Sequence, residues 1–304
     1  MEPLVSVLIP VYNTKYRYLR EAIESILNQT YGNFELLIIN DASCDNAEDV
    51  ILSYKDERIK YYKNETNLKL IATLNKGIEL SKGKYIARLD ADDYCTPDRL
   101  EKQVKYMEEH PDTGLIGTLF KTVPDNENSV SNVADIPRCI RYIPGCLLHS
   151  SAMMRKSVLD ENNITYNPAC LHAEDFKMWS DISRVSQAAV LPEVLTYYRQ
   201  TETGICARNK KYQNKMLMVI ALDNMIKDFE CDKDKLYSIL VKFVKSAPVT
   251  QEEFNTAKDF LESVIKSLVP ELSAPYNARI IQYCEAILKH FNIIKRTEVV
   301  WMNR

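Results

Sequence analysis

The sequence predicts an α/β protein: a doubly wound, mostly parallel β-sheet flanked by helices, followed by a C-terminal helical extension. Three observations carry this expectation. Between Val5 and Gly117, runs of strand length alternate with segments whose apolar residues recur at helical spacing. The best of those runs are apolar throughout, as in strands buried on both faces. From about residue 207 onward only helical stripes remain. The expected division is therefore 1–206 and 207–304.

Val5-Ser6-Val7-Leu8-Ile9 reads as the first strand. Tyr18 to Gln29 follows as a helix, with Leu19, Ile23, Ile26 and Leu27 on one face. Phe34 to Ile39 is the second strand, Asp45 to Tyr54 a helix, and Ile59 to Tyr62 a short strand. Leu70 to Ser81 is a helix, closed by Lys82-Gly83 as a C-terminal signal. Tyr85 to Leu89 is a strand, Pro97 to His110 a helix stopped by Pro111, and Leu115 to Gly117 begins one more strand. Residues 120–205 are less regular, with Pro124, Pro137, Pro144, Pro168 and Pro192 among short strands and one clear helix around Asp175 to Ser183. Farther on, three stripes have helical spacing: Leu236 to Val244, Phe254 to Leu268, and Ile280 to Phe291.

Hydrophobic residues make up 46% of the 304 residues, enough for a substantial core, and the formal net charge is -3. A nucleic-acid binder would show a strong basic excess, so nucleic acid is excluded as a partner. Eight cysteines stand at irregular spacings without a CxxC pair, which fits reduced thiols rather than a zinc site or a disulfide framework. The N-terminus has no basic n-region and no cleavage site, and no run of about 18 apolar residues occurs. A cytoplasmic protein with at most peripheral membrane contact is expected.

In doubly wound sheets, ligands bind beyond the carboxyl ends of the strands. There the sequence places Pro10-Val11-Tyr12-Asn13, Asn40-Asp41-Ala42-Ser43 and Asp90-Ala91-Asp92-Asp93. Crowded carboxylates repel one another unless a cation or hydrogen-bond donors compensate. Such hard oxygen ligands suit Mg2+ or Mn2+, often shared with substrate phosphates. The alternative is a solvated acidic turn that caps the next helix. Asp41 can accept a hydrogen bond from a nucleobase N–H or a ribose hydroxyl, or it can cap a helix, a role for which Asp45 is better placed. Glu174-Asp175 opens a helix, where the dipole alone favours acids. One of the pair can also deprotonate an acceptor hydroxyl. His149 and His172 are each open to a structural or a chemical role.

Together these segments resemble glycosyltransferase family 2 and its GT-A nucleotide-sugar-binding fold. The resemblance runs over roughly residues 4–205. It is carried by Val5 to Asn13, Ser25 to Tyr31, Phe34 to Asp45, Asn67, Asn75-Lys76-Gly77-Ile78, Gly83 to Asp93, His149, and Glu174-Asp175 with Trp179. It implies an inverting enzyme that moves a sugar from a nucleotide-diphosphate donor, UDP-sugar by default, to a hydroxyl of a saccharide or lipid-linked acceptor. Mn2+ or Mg2+ would be the cofactor, and surface polysaccharide synthesis the setting. By the same resemblance Pro10, Tyr12, Asn13 and Asp41 hold the nucleoside, with Tyr12 stacking on the base. Asp90 lies near the ribose and donor sugar, Asp92 ligates the metal, and Arg88 orients the acidic turn or faces the phosphates. Asp175 is the general base with Glu174 beside it, and His149 and Trp179 line the acceptor side.

Two positions depart from the family pattern. Ala42 stands where relatives often have Gly, and a left-handed backbone there would strain alanine. Thr201 stands where a histidine often contributes to metal or diphosphate binding, a role His172 or Arg199 could take over. A sugar nucleotidylyltransferase would carry a Gly-rich loop after the first strand, whereas no glycine precedes Gly32. The remaining alternative is a non-catalytic nucleotide-sugar-binding protein that kept the fold. For the C-terminal helices the open roles are packing against the catalytic domain, a homo-oligomer interface, an acceptor-binding lid, or membrane contact through the mixed apolar, basic and aromatic tail from Phe291 to Trp301.

Overall fold

The computed structural model describes residues 4–123, 133–200 and 205–302. The chain divides into two compact units. The first comprises Met1–Pro137 with Leu147–Arg208, and the second Arg138–Cys146 with Asn209–Arg304.

The first unit runs β1 (Val5–Val11), α1 (Tyr16–Leu27), β2 (Phe34–Asn40), α2 (Ala47–Leu52), β3 (Ile59–Lys63), α3 (Leu70–Leu80), β4 (Tyr85–Arg88), β5 (Tyr94–Cys95), α4 (Arg99–Glu109) and β6 (Thr113–Val123). After α5 (Ile136–Cys139) come β7 (Met153–Arg155), α6 (Lys156–Glu161), α7 (Glu174–Val185) and β8 (Gln187–Arg199). One eight-stranded sheet has the order β3-β2-β1-β4-β7-β6-β8-β5. Strands β3, β2, β1 and β4 are parallel, β7 runs antiparallel to both its neighbours, β6 and β8 are parallel, and β5 is antiparallel to β8.

Every residue of β1, β2 and β4 is buried, as their uninterrupted apolar character requires. Val5, Val7, Ile9 and Val11 share a core with Leu19, Ile23 and Ile26 of α1 and Leu100, Val104 and Met107 of α4. On the other face α3 lies so close to β1 that a Cβ on Gly77 would sit 2.3 Å from Leu8.

The stretch expected to be irregular contains the longest strand, β8, and the end of β6. Pro192 does not break β8, because the register with β6 passes from Thr118↔Leu191 to Leu119↔Val194 and leaves Pro192 and Glu193 in a bulge. A bulge is where a residue without an N–H does no harm to a ladder.

Gly83 also acts differently from the sequence reading. Helix α3 ends through Ser81 in an extended conformation (φ -66°, ψ 129°). Gly83 is needed for close approach instead: a Cβ there would lie 2.6 Å from the Ser6 amide nitrogen and 2.8 Å from the carbonyl oxygens of Leu4 and Tyr85. The approach is held by a buried polar knot. Ser6 Oγ donates to Glu35 Oε1 (2.6 Å), and the amides of Lys82 and Gly83 donate into the pair at 2.8 Å each.

The second unit contains α8 (Ile205–Asp228, kinked at Asn209), α9 (Lys233–Lys245), α10 (Gln251–Leu268) and α11 (Ala274–Met302). Helix α10 opens with a capping box between Thr250 and Glu253. The apolar stripes form its core through Leu236, Phe243, Leu261, Val264, Ile280, Ile287 and Phe291. Arg138–Cys146 belongs to this unit although it stands far earlier in the chain. Tyr142 Oη donates to Asp228 (2.8 Å), Asn224 Nδ2 to the Arg141 carbonyl (2.8 Å), and Arg138 to the Glu271 carbonyl (2.6 Å). Among the described residues, no helix is long and apolar enough to cross a membrane. The side chains of 292–302, including the tail singled out for membrane contact, lie outside the described residues.

Replacing Gly83 by Ala forces backbone, not a flexible side chain, to move. We expect Gly83→Ala to destabilise the protein by about 2 kcal/mol, in the range of overpacked cores, read as a lowered midpoint in urea with unchanged slope.

Candidate active site

The carboxyl ends of β1, β2 and β4 meet at one edge of the first unit. Beyond β1, Tyr12 is 49% exposed, a flat aromatic face left open to solvent. Asn13 follows in the left-handed region (φ 49°). Its amide donates to Ser43 Oγ (3.1 Å) and its Oδ1 accepts from the Cys44 amide (2.8 Å), so the turns after β1 and β2 are latched together. Pro10 lies within β1, in register with Ile39.

Asp41 is buried beyond β2. Its Oδ1 accepts from Asn64 Nδ2 (2.8 Å) and the Leu68 amide (2.8 Å), and its Oδ2 from the Lys69 amide (2.9 Å). Asp41 therefore shapes the loop before α3, which the sequence did not reveal. Asp45 Oδ1 accepts from the Ala47 amide (3.1 Å) at the start of α2.

The acidic turn after β4 is built around a buried cation. The Arg88 side chain is fully buried and pairs with Asp90 Oδ1 at 2.5 Å, while its other branch donates to the Leu89 carbonyl. Burial works to raise the Asp90 carboxyl, but Arg88 and the neighbouring polar groups outweigh it and hold Asp90 below the usual carboxylate range. Ser150 Oγ bonds Asp90 Oδ2 (2.9 Å) and Asp93 Oδ2 (2.5 Å) and accepts from the Asp90 amide (3.1 Å). Asp93 Oδ1 accepts from the Arg199 amide (2.7 Å). Burial and the charges of Asp90 and Asp92 push Asp93 well above an ordinary carboxyl.

Asp92 differs from its neighbours. Its carbonyl accepts from Arg199 Nε (2.8 Å), yet among the described residues no other side chain bonds its carboxylate. Burial, then the charge of Asp90, pushes it up to about 6. A half-buried carboxylate raised by burial and like charge, with no side-chain donor among the described residues, is suited to a dication. Among the described residues no three His, Cys, Asp or Glu side chains gather around one point. The donor set thus fits a metal that takes its remaining oxygens from phosphates and water, as Mg2+ and Mn2+ commonly do.

Helix α7 brings the second acidic group. Asp175 Oδ1 accepts from the Phe176 amide (2.7 Å), which fixes the carboxyl at the helix start. Burial, with a contribution from Asp90, raises it to about 6. Glu174 is 7% exposed, and burial followed by the charge of Asp175 raises it to about 7. Glu174 Oε2 and Trp179 Nε1 are both buried without a hydrogen-bond partner. His149 is buried, with Nε2 2.9 Å from Tyr166 Oη and its ring edge-on to Trp179 at 5.8 Å. Burial, then the Arg88 charge, lowers His149 to about 3 and keeps it neutral. His149 and Trp179 are thus buried against one another rather than forming an exposed lining.

Ser150, Arg99 and the main role of Arg199 were missed in the sequence. Arg99 is fully buried and donates to the Arg88 carbonyl (2.9 Å), supporting the end of β4. The available signal was an arginine at the start of an amphipathic helix within ten or so residues of the acidic turn. Ser150 gave no signal beyond its place beside His149. Thr201 lies outside the described residues.

A sheet that turns antiparallel past β4, with an acidic turn at β4 and an acid pair opening a later helix, is the GT-A arrangement. The Glycosyl transferase family 2 profile matches residues 6–162. An uncharacterised glycosyltransferase of Haemophilus influenzae is 37% identical over 243 residues, covering 73% of each chain. The chain belongs to glycosyltransferase family 2. Among solved structures, Staphylococcus aureus TarS 1-349 in complex with UDP-GlcNAc superimposes with a TM-score of 0.64 at 18% identity, over 97% of this chain and 91% of that one. The mannosyltransferase PcManGT of Pyrobaculum calidifontis, in complex with GDP-Man and Mn2+, gives 0.59 at 15% identity, over 100% and 89%. Both likenesses concern the fold.

Two outcomes are expected. Ala42 adopts φ 56°, a conformation that costs an L-residue about 1 kcal/mol or more. Ala42→Gly should raise the thermal midpoint by about 2–4 °C, measured by calorimetry. Glu174 tests the acid pair. Its folded pKa of about 7 exceeds the ordinary 4.5, so its contribution to stability is full below about 4.5 and lost as pH rises through about 7. Glu174→Gln should therefore melt higher than wild type at pH 8, with the gap closing toward pH 5. A pH-independent difference would contradict this assignment.

Proposed function

We propose that this glycosyltransferase is an inverting, dication-dependent enzyme that transfers a sugar from a nucleotide-diphosphate donor, UDP-sugar first, to a hydroxyl of a saccharide or lipid-linked acceptor in surface polysaccharide synthesis. The observation that carries the reading is the acidic turn, in which Asp90 and Asp93 are tied by hydrogen bonds while the Asp92 carboxylate is left open. The UDP-GlcNAc of the TarS complex and the GDP-Man and Mn2+ of the mannosyltransferase complex support the donor class and the metal.

On this reading the base stacks on Tyr12, between the latched turns of Pro10–Asn13 and Asp41–Ser43. Asp41 Oδ2 carries one hydrogen bond and keeps a lone pair for a base N–H or ribose hydroxyl. Asp90, fixed by Arg88 and Ser150, faces the ribose and donor sugar. Asp92 would hold the Mn2+ or Mg2+, which when bound supplies positive charge to the departing diphosphate. Asp175 takes the proton of the attacking acceptor hydroxyl. Its orientation by the Phe176 amide leaves the second carboxyl oxygen for that proton. Attack on the face opposite the diphosphate, in a single displacement, inverts the anomeric carbon. Glu174 stands beside Asp175 and shapes the acceptor side from its buried position, as do the buried His149 and Trp179.

Calorimetric titration with UDP should show binding with Mn2+ and little with EDTA, and Asp92→Ala should lose the metal-dependent part. Absence of binding to UDP, GDP and dTDP by the folded protein would sink the proposal. Binding of nucleotide sugars without transfer would favour the non-catalytic reading. Because a base works deprotonated and Asp175 lies at about 6, kcat/KM should rise through pH 6 and level above it. Asp175→Asn should lower kcat by about 10²–10⁴ with UDP affinity retained.

A further inference from the structure

We infer that Arg199 is a positioning residue that couples the nucleoside edge of the donor site to its metal turn, an inference that rests on the donor-site reading above. Arg199 ends β8, and its side chain is 13% exposed. It meets three separate elements. Its amide donates to Asp93 Oδ1 (2.7 Å) and its Nε to the Asp92 carbonyl (2.8 Å). Its terminal Nη2 donates to the Glu21 carboxylate on α1. The guanidinium lies over the Tyr18 ring of α1, 4.1 Å from its centroid, and 5.6 Å from that of Tyr94 in β5. Tyr94 in turn stacks on Tyr197 of β8 at 4.7 Å.

The direction of these bonds is informative. Arg199 holds Asp92 by its backbone carbonyl, not by its carboxylate. An ordinary salt bridge would neutralise the one carboxylate of the turn that is otherwise open. Here the arginine fixes where that carboxylate stands and leaves its oxygens available. With Asp93 pinned by the Arg199 amide and by Ser150, Asp92 is held from both sides.

The other end of the same guanidinium grips α1 at Tyr18 and Glu21. Helix α1 starts at Tyr16, directly after the Tyr12–Asn13 turn proposed for the base. A nucleoside that orders that turn and a cation that orders the acidic turn therefore act on opposite ends of one planar, pre-organised fork. Each reduces what the other must order, which makes the two binding events favour one another. Lysine cannot reproduce this, because it has one charged point instead of a fork.

The test measures Mn2+ affinity alone, by the paramagnetic signal of the free ion, and UDP affinity with and without Mn2+, by calorimetry. Variants are Arg199→Gln, Arg199→Lys and Glu21→Gln, each checked for folding by circular dichroism. In Arg199→Gln, Mn2+ affinity should fall by about 10–100-fold, as for residues that orient metal ligands. The enhancement of UDP binding by Mn2+ should shrink with it, while UDP binding in EDTA stays at the wild-type level. Arg199→Lys should restore Mn2+ affinity only in part. Glu21→Gln leaves the contacts to Asp92 and Asp93 in place, so Mn2+ affinity alone should hold while the enhancement of UDP binding drops. A merely structural role would lower the melting point of all three without changing the metal dependence of UDP binding.

Wild-type Mn2+ affinity and enhancement in Arg199→Gln would overturn the inference and leave the donor-site reading standing. If Arg199→Gln does not fold, Glu21→Gln decides: an unchanged enhancement overturns the coupling. A wild-type protein that binds both ligands independently also overturns it. A wild-type protein that binds neither overturns the donor-site reading as well.

Discussion

The site depends on one buried cation. Arg88 has no exposed surface, yet it stands at the end of a central strand with Asp90, Asp92 and Asp93 following it. Its charge bears on Asp90, Asp92, His149, Tyr166 and Asp175. Removing one partner of a buried ion pair leaves an uncompensated charge and is strongly destabilising. Arg88 therefore cannot be exchanged freely, and the geometry of the turn follows from it. Asp90 is committed to Arg88, and the oxygens of Asp93 to Ser150 and Arg199. Among the described residues no side chain bonds the Asp92 carboxylate, and burial together with the charge of Asp90 raises it to about 6, a cost that a dication would relieve.

The scaffold beneath is rigid for reasons unconnected with chemistry. The parallel strands β2, β1 and β4 are buried along their whole length, and their close packing with α3 and Gly83 leaves little room for movement. Buried polar groups are satisfied by specific partners, with Ser6 and Glu35 receiving the amides of Lys82 and Gly83. A site assembled at the ends of such strands inherits their precision, while its variable parts sit on the connecting turns.

The sequence made the first half of this architecture legible and the second half much less so. Fully apolar runs such as Val5–Ile9 and Phe34–Ile39 mark strands by composition alone, and the polar residues after them mark the ligand edge. Of β6 only the start at Leu115–Gly117 carries such a mark, and β8 has none: the two strands hold each other by long-range pairing, and Pro192 hides in a bulge. For the same reason Asp90, Asp92 and Asp175 could be singled out by position, whereas Ser150 could not, and Arg199 stood out only as a stand-in for a missing histidine, not for its contacts to Asp92 and Asp93. Ser150 and Arg199 reach the acidic turn from 60 and 107 residues away, through contacts that no local pattern encodes. Asp41 was legible as a polar residue at a strand end, but its three bonds to the loop at Asn64, Leu68 and Lys69 were not.

The backbone around the site carries a further constraint. The chain has only seven glycines, and among the described residues none occupies the left-handed positions of the site. Those fall on Asn13, Ala42, Lys69 and His172, on the turns after β1 and β2 and before α3 and α7. Asparagine tolerates such a conformation, and the others do so at a cost. Strain of this kind persists only where surrounding contacts over-determine it. Here Asn13 is bonded to Ser43 and Cys44, and the Lys69 amide donates to both Asp41 and Asn67. Each strained residue adjoins a group proposed to meet donor or acceptor: Tyr12, Asp41, or the Glu174-Asp175 pair. The strain and the buried acids are thus parts of one arrangement, in which the folding energy of a well-packed sheet holds in place a set of charges and turns that would not adopt this geometry by themselves.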